Sequence, residues 1–125
     1  MKKIVLTDKA PSPIGPYSQG VETNGIVFFS GQIAIDPAVG KITATDVEAQ
    51  TRQVLANISA LLDAAGLTAA NVVKTTVFVK DIADFAKVNA IYAELFGSEP
   101  PARSCVEVSA LPSGALVEIE VVAAR

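Results

Sequence analysis

The segment Pro101–Val108 brings together a residue type that binds anions and one that reacts as a nucleophile. Arg103 and Cys105, the only cysteine, are two residues apart, so on a β-strand both side chains point to the same face. A guanidinium is planar and binds a carboxylate through two parallel hydrogen bonds. A neighbouring thiol is a nucleophile if the arginine lowers its pKa, and otherwise a small buried apolar group. The second interpretation is favoured for Cys105, because no histidine is present to activate a thiol.

Glu118 and Glu120 are the candidates for proton transfer. They alternate with branched aliphatic residues near the end of the chain, so both carboxylates lie on one face of a predicted strand. A carboxylate with a raised pKa can orient or deprotonate a water molecule. The alternatives are a solvated sheet face, or a structural ion pair between one glutamate and Arg103.

The composition restricts the chemistry and the partners. None of the 125 residues is histidine, which excludes Ser-His and Cys-His pairs and the usual imidazole metal ligands, so we expect no metal. A formal net charge of −3 without a basic cluster indicates no nucleic-acid partner. No apolar run reaches the ~18 residues of a membrane span, so no membrane partner and a cytoplasmic location are expected.

The elements that hold these residues indicate one α+β domain over residues 1–125. Asn24-Gly25 is a two-residue hairpin signal, and Thr45 begins a capping box ahead of a helix that ends at Gly66. A second helix begins at Asp81 or Asp84 and ends at Gly97. The predicted strands are Lys3–Leu6, Tyr17–Glu22, Ile26–Phe29 continued by Ile33–Ile35, Val72–Lys80, the segment from Arg103, and Leu116–Ala124.

The two helices should cover one face of a mixed sheet. The other face is predicted to carry Arg103, Cys105, Glu118 and Glu120 together. Half of the residues are hydrophobic, so we expect this second face to be shielded by self-association.

Four further residues are candidates for lining a site. Asn89 lies on the predicted buried stripe of the second helix, where its amide bonds either a loop backbone or a ligand. Tyr17 follows a proline-rich loop and either packs internally or places its hydroxyl at an interface. Ser30 and Gly31 interrupt an apolar strand, which indicates either a bulge or a close approach of a ligand to the backbone.

Five motifs resemble those of the RidA family, also known as the YjgF family. In chain order they are I-G-P-Y-S-Q-G at 14–20, S-G-Q-I at 30–33, V-K-T-T-V-F-V-K-D at 73–81, P-A-R-S-C-V-E-V at 101–108 and V-E-I-E at 117–120. Together they cover essentially the whole chain. The resemblance implies a homotrimer of chorismate-mutase-like folds with sites between subunits.

The resemblance also implies an activity, the hydrolysis of 2-iminobutanoate and 2-iminopropanoate to 2-keto acids and ammonia. The catalytic residues would be Arg103, which holds the substrate carboxylate, Glu118, which acts on water, and Cys105, mainly through its main chain. The implied pocket lining is Tyr17, Ser30, Gly31, Asn89, Arg103 and Cys105. The imines would come from pyridoxal-phosphate-dependent dehydratases.

Two other functions stay open at this point. One is a trimer that binds keto or amino acids without converting them, and the other is a ribonuclease or translation inhibitor. The segment 97–100 is shorter than in some family members, and this departure leaves the preferred substrate open.

Overall fold

The computed structural model describes all 125 residues. It contains a six-stranded mixed sheet, a two-stranded sheet and two α-helices, which confirms the α+β class. The strands are β1 Lys3–Val5, β2 Gly20–Thr23, β3 Ile26–Phe29, β4 Ile35–Asp36, β5 Lys41–Ile42, β6 Val72–Val79, β7 Ala102–Glu107 and β8 Val117–Ala124, and the helices are α1 Val47–Ala64 and α2 Phe85–Phe96. The large sheet has the order β1-β2-β3-β8-β6-β7. Only β6 and β7 are parallel, and α2 is the crossover between them.

The predicted hairpin joins β2 and β3. Asn24 and Gly25 both have positive φ, 51° and 77°, as a two-residue turn of this kind requires. The predicted continuation of β3 through Ile33–Ile35 is wrong. Gln32 forms a single bridge to Ile119 of β8, and the chain then leaves the large sheet to form the small β4–β5 hairpin.

The boundaries of α1 follow local chemistry. Asp46 is the N-cap, because its carboxylate accepts a hydrogen bond from the N–H of Ala49 at 2.7 Å. The prediction of Thr45 at this position is therefore wrong by one residue. The end is as predicted: Gly66 has φ 72°, and its N–H and that of Leu67 close the last turn onto preceding carbonyls.

Both helices pack on one face of the large sheet, as predicted. Eight residues that recur at helical spacing from α1 to its C-cap are all buried: Val47, Thr51, Val54, Leu55, Ile58, Leu61, Leu62 and Ala65. They contact the inward side chains of the central strands β6 and β8 and a second buried stripe on α2. Asp81 caps the short 3-10 turn Ile82–Asp84 that leads into α2, by accepting from the N–H of Ala83. Neither α-helix has the length and hydropathy needed to cross a lipid bilayer.

The face that Arg103 and Cys105 occupy differs from the prediction. In the parallel register Arg103 lies beside Thr75 and Cys105 lies beside Val77. Thr75 and Val77 are both buried against the helices. Because paired residues share a face, Arg103 and Cys105 point to the helix-covered side of the sheet.

Glu118 and Glu120 point the other way. They alternate with Val117 and Ile119, which are buried under the helices, so both carboxylates lie on the open face. The prediction that all four polar residues share one face is therefore wrong. The register of β7 against β6 decides this arrangement, and a shift of one residue would reverse it.

The open face carries exposed apolar side chains beside its two glutamates. Ile4, Phe28 and Val106 point to it and are 51%, 50% and 44% exposed. Half-buried side chains of Val122 and Phe78 lie between them. An uncovered apolar surface of this kind is typical of a subunit interface.

Candidate functional site

The predicted site residues form two groups on opposite faces of the sheet. Asn89, Arg103 and Cys105 lie at the edge where β7 meets α2. Gly31 and Glu118 lie on the other face, beside the loop that carries Tyr17. Asn89 and Arg103 line one pocket, and Gly31 and Glu118 line another.

Arg103 is held by side chains of α2. Its Nη1 donates to the Oδ1 oxygen of Asn89, so the amide of Asn89 bonds Arg103 rather than a loop backbone. The guanidinium carbon lies 5.3 Å from the ring centroid of Phe85 and 4.8 Å from that of Tyr92, both within cation–π distance.

No carboxylate of the chain pairs with Arg103. The two ion pairs of the structure are Arg52–Glu94 and Arg125–Glu22, and neither involves Glu118. The alternative of an internal ion pair between Arg103 and a glutamate of β8 is therefore excluded within one chain. The guanidinium instead borders an open pocket of about 720 Å³ between α2 and the 97–101 segment, and its remaining donors are free for an anion.

Cys105 is not an activated thiol. Partial burial raises the pKa of Cys105, and the positive charge of Arg103 offsets this only in part. The thiol is therefore protonated at neutral pH and a poor nucleophile. The geometry matches the interpretation of a small apolar side chain.

The main chain of Cys105 faces the free edge of the sheet. β7 is the outermost strand, and the N–H of Val108 donates to the carbonyl of Val79 on β6 at 2.9 Å. Hydrogen-bonding directions alternate along a strand, so Ser104 and Val106 also face β6 while Cys105 faces outward. Its N–H and carbonyl are thus available to a ligand or to another chain.

Glu118 occupies the second pocket, of about 270 Å³, whose lining includes Tyr17, Gly31, Ile33 and Pro112. Burial raises the pKa of Glu118, and the like charge of Glu120 raises it further. A carboxylate with a raised pKa binds and releases a proton nearer to neutral pH, which suits a general base.

Gly31 is required by the position of Glu118. A Cβ atom at residue 31 would lie 3.0 Å from the Cδ carbon of Glu118 and even nearer to one of its oxygens. The glycine therefore lets the backbone approach the carboxylate, and its own N–H makes no hydrogen bond within the chain. The two features place a free N–H beside Glu118.

Ser30 holds the neighbouring backbone. Its hydroxyl donates to the carbonyl of Ser18 at 2.6 Å, and its N–H donates to the carbonyl of Gln19 at 2.9 Å. Tyr17, which precedes Ser18, is 52% exposed. The interpretation that it packs internally is therefore wrong. Its ring stands at the rim of the Glu118 pocket.

Sequence reasoning missed Gln19. This side chain is 1% exposed, and its amide bonds the N–H of Thr7 at 2.7 Å and the carbonyls of Thr7 and Pro11 at 3.0 and 2.8 Å. It thereby ties the proline-rich loop to the start of β2. The signal was available, since a glutamine inside the motif Tyr17–Gly20 is a polar residue that needs partners.

The structure contains no group of three or more Cys, Asp or Glu side chains arranged to hold a metal ion. The two pockets offer a cation with free donors, a carboxylate of raised pKa and backbone N–H groups without partners in the chain. Such groups bind a small carboxylic acid and transfer a proton.

Known proteins resemble this chain over its whole length. A sequence model described as Endoribonuclease L-PSP matches residues 7–125. A RutC family protein of Pyrococcus horikoshii is 53% identical over 123 residues, 98% of each chain. A 2-iminobutanoate/2-iminopropanoate deaminase of Salmonella typhimurium is 52% identical over 128 residues, covering 100% of this chain and 99% of the relative.

Solved structures agree with the fold. A Rid family protein of Yersinia pestis superposes with a TM-score of 0.97 at 55% identity, with both chains fully covered. TdcF of E. coli, solved with bound serine, has a TM-score of 0.93 at 44% identity, with 98% of each chain covered. The match over residues 7–125 and these full-length relatives show that the chain belongs to the RidA family.

Proposed function

We propose that the protein hydrolyses 2-imino acids such as 2-iminobutanoate and 2-iminopropanoate to 2-keto acids and ammonia. The observation that carries the proposal is Arg103, whose guanidinium has no carboxylate partner in the chain and borders an open pocket. Relatives of about 50% identity that carry the name of this deaminase support it.

The active assembly in this proposal is a homotrimer of chorismate-mutase-like subunits. Arg103 and Glu118 point to opposite faces of one sheet, so one small molecule does not contact both within a single chain. A neighbouring subunit packed on the apolar open face brings its own Arg103 to the Glu118 pocket. The free edge of β7 and the apolar open face support this arrangement.

In the mechanism we infer, Arg103 binds the substrate carboxylate through parallel charge-assisted hydrogen bonds, which orients the imine. The N–H of Gly31 and the main chain of Cys105 hold the region around the C=N bond. No metal or cofactor takes part, because a protonated imine is already a good electrophile.

Glu118 then acts as the general base. It removes a proton from water as the oxygen bonds to the imine carbon, and the C=N π electrons move to nitrogen. Glu118 returns this proton to the nitrogen of the tetrahedral amino alcohol and then accepts the hydroxyl proton. The C–N bond breaks, the carbonyl forms, and the departing ammonia takes the last proton from Glu118 as ammonium.

A non-catalytic ligand-binding trimer is the second candidate, since TdcF of E. coli was solved with serine bound. The same groups would bind an amino or keto acid through its carboxylate. A ribonuclease is disfavoured by the net charge of −3 and the absence of histidine.

A coupled assay separates these functions. A pyridoxal-phosphate-dependent threonine dehydratase generates 2-iminobutanoate. The release of 2-oxobutanoate is then followed with and without the protein. Deamination predicts faster release, and the matched variant Glu118→Gln should remove the acceleration. Binding of 2-oxobutanoate without acceleration would favour the ligand-binding trimer. Labelled RNA that binds with a steep salt dependence would favour the nuclease.

A further inference from the structure

The side chains that surround Arg103 lie at one spacing on α2. Phe85, Asn89 and Tyr92 are four and three residues apart, so they form a single stripe on the helix. All three contact the guanidinium, two through their rings and one through its amide oxygen. Three consecutive positions of one helical stripe are thus used to hold one side chain of the neighbouring strand.

Tyr92 is itself fixed in place. Its ring is 6% exposed, and its hydroxyl bonds the hydroxyl of Thr75 at 2.7 Å. Thr75 is fully buried and lies directly beside Arg103 in the β6–β7 register. The ring of Phe96 packs against that of Tyr92, with the two centroids 4.7 Å apart.

The arginine side chain is long and flexible, so a carboxylate that binds it must normally immobilise it at a cost in entropy. Here aromatic rings restrict the plane of the guanidinium, and Asn89 accepts from one nitrogen. The outward donors are left free for an anion in the pocket.

We propose that Phe85 and Tyr92 are positioning residues, which with Asn89 hold the Arg103 guanidinium in one orientation for a substrate carboxylate. Thr75 fixes the Tyr92 ring through the hydroxyl pair. The inference rests on the proposed function for its substrate, but the arrangement itself is measurable without any substrate. None of these aromatic residues needs to touch the reacting atoms.

The test compares Phe85→Leu and Tyr92→Leu with two controls. Tyr92→Phe and Tyr92→Leu both remove the partner of the Thr75 hydroxyl, but only Tyr92→Phe keeps the aromatic ring. The difference between these two variants therefore measures the effect of the ring. Val88→Ala removes buried packing from the same helix without a contact to Arg103. Phe85 is less buried than Tyr92, so its variant keeps the proposal testable if Tyr92→Leu does not fold.

Calorimetric titration with 2-oxobutanoate gives the first readout. Each leucine variant should weaken binding by about 2- to 30-fold, the range expected for loss of a cation–π contact. Val88→Ala should bind within about twofold of the wild type. Tyr92→Phe keeps the ring but loses its hydroxyl pair with Thr75, so it should bind more tightly than Tyr92→Leu. In an Arg103→Lys background the leucine substitutions should have a smaller effect, because a flexible ammonium gains little from the rings. Leucine variants that bind as Val88→Ala does would overturn the proposal.

Arginine side-chain NMR gives a second readout that needs no ligand. The chain has three arginines, Arg52, Arg103 and Arg125, so the signals are few. Ring currents should displace the Arg103 signal, and each leucine variant should return it toward the other two. An unchanged Arg103 signal in both leucine variants would refute the positioning role. If the wild type neither binds 2-oxobutanoate nor deaminates, the proposed function fails while this measurement still decides the positioning role.

Discussion

Subunits that carry Arg103→Lys and subunits that carry Glu118→Gln should restore activity when they are assembled together. In the proposed trimer each site takes Arg103 from one subunit and Glu118 from its neighbour. The structure motivates this, because the two side chains point to opposite faces of the same sheet. A mixed trimer therefore contains sites in which both residues are intact.

The size of the effect follows from the geometry. Arg103→Lys removes one of two charge-assisted hydrogen bonds, about 1.5–3 kcal/mol, or about 10- to 150-fold in kcat/KM. Glu118→Gln removes the base and should cost about 10²- to 10⁴-fold. In a ring of three subunits that contains both variants, one of the three sites takes an intact Arg103 and an intact Glu118. Purified mixed trimers should thus recover about a third of wild-type activity.

The assay uses co-expression of the two variants with different affinity tags, sequential purification, and native mass spectrometry to verify the trimer composition. Dehydratase-coupled release of 2-oxobutanoate then measures activity. The control is a mixture of wild-type and Glu118→Gln subunits, which should keep about half of the activity. If verified mixed trimers are no more active than the average of the two parents, one subunit supplies both residues and the shared-site geometry is refuted.

Other predictions concern individual side chains. Glu118→Gln should raise the thermal midpoint at pH 7, because the raised pKa of Glu118 means that its ionised form opposes folding. This gain in stability should vanish below about pH 4, where the carboxyl is protonated in the folded and the unfolded protein. The same variant should lose turnover. Glu120→Gln should move the acid limb of the pH–rate profile to lower pH, since removing a like charge lowers the pKa of Glu118; an unmoved limb would mean that Glu118 is not the base. Cys105→Ser should keep most activity, because the main chain is unchanged, and complete loss in a folded trimer would revive a nucleophilic thiol. Light scattering should give a trimer mass at micromolar concentration, and a monomer would contradict the shared site.

Local features of the fold were predictable from the sequence. The stripe of α1, its end at Gly66 and the Asn24-Gly25 turn depend on interactions between residues close in the chain. The start of α1 was missed by one residue, because Thr45 and Asp46 are both good caps and only the backbone decides between them. The end of β3 at Phe29 was predicted, but its continuation at Ile33–Ile35 was wrong, because the apolar residues after Gln32 resume the pattern of a strand.

The arrangement of the candidate site was only partly predictable. The period of two correctly paired Arg103 with Cys105 and Glu118 with Glu120 on each strand. It does not say which face of the sheet either pair takes, and the assumption that they share one was wrong. Asn89 was predicted to lie on a buried stripe of the second helix, but the contact of Phe85 and Tyr92 with Arg103 was not predicted.

The sequence by itself determined the chemical groups, the local elements and the family, because residue identity and short-range spacing are enough for these. Only the tertiary structure decided that Arg103 faces α2 while Glu118 faces the open side. The physical reason is that the parallel register of β6 and β7 is set by packing of the α2 crossover, between residues distant in the chain. The same packing places Phe85, Asn89 and Tyr92 around the guanidinium.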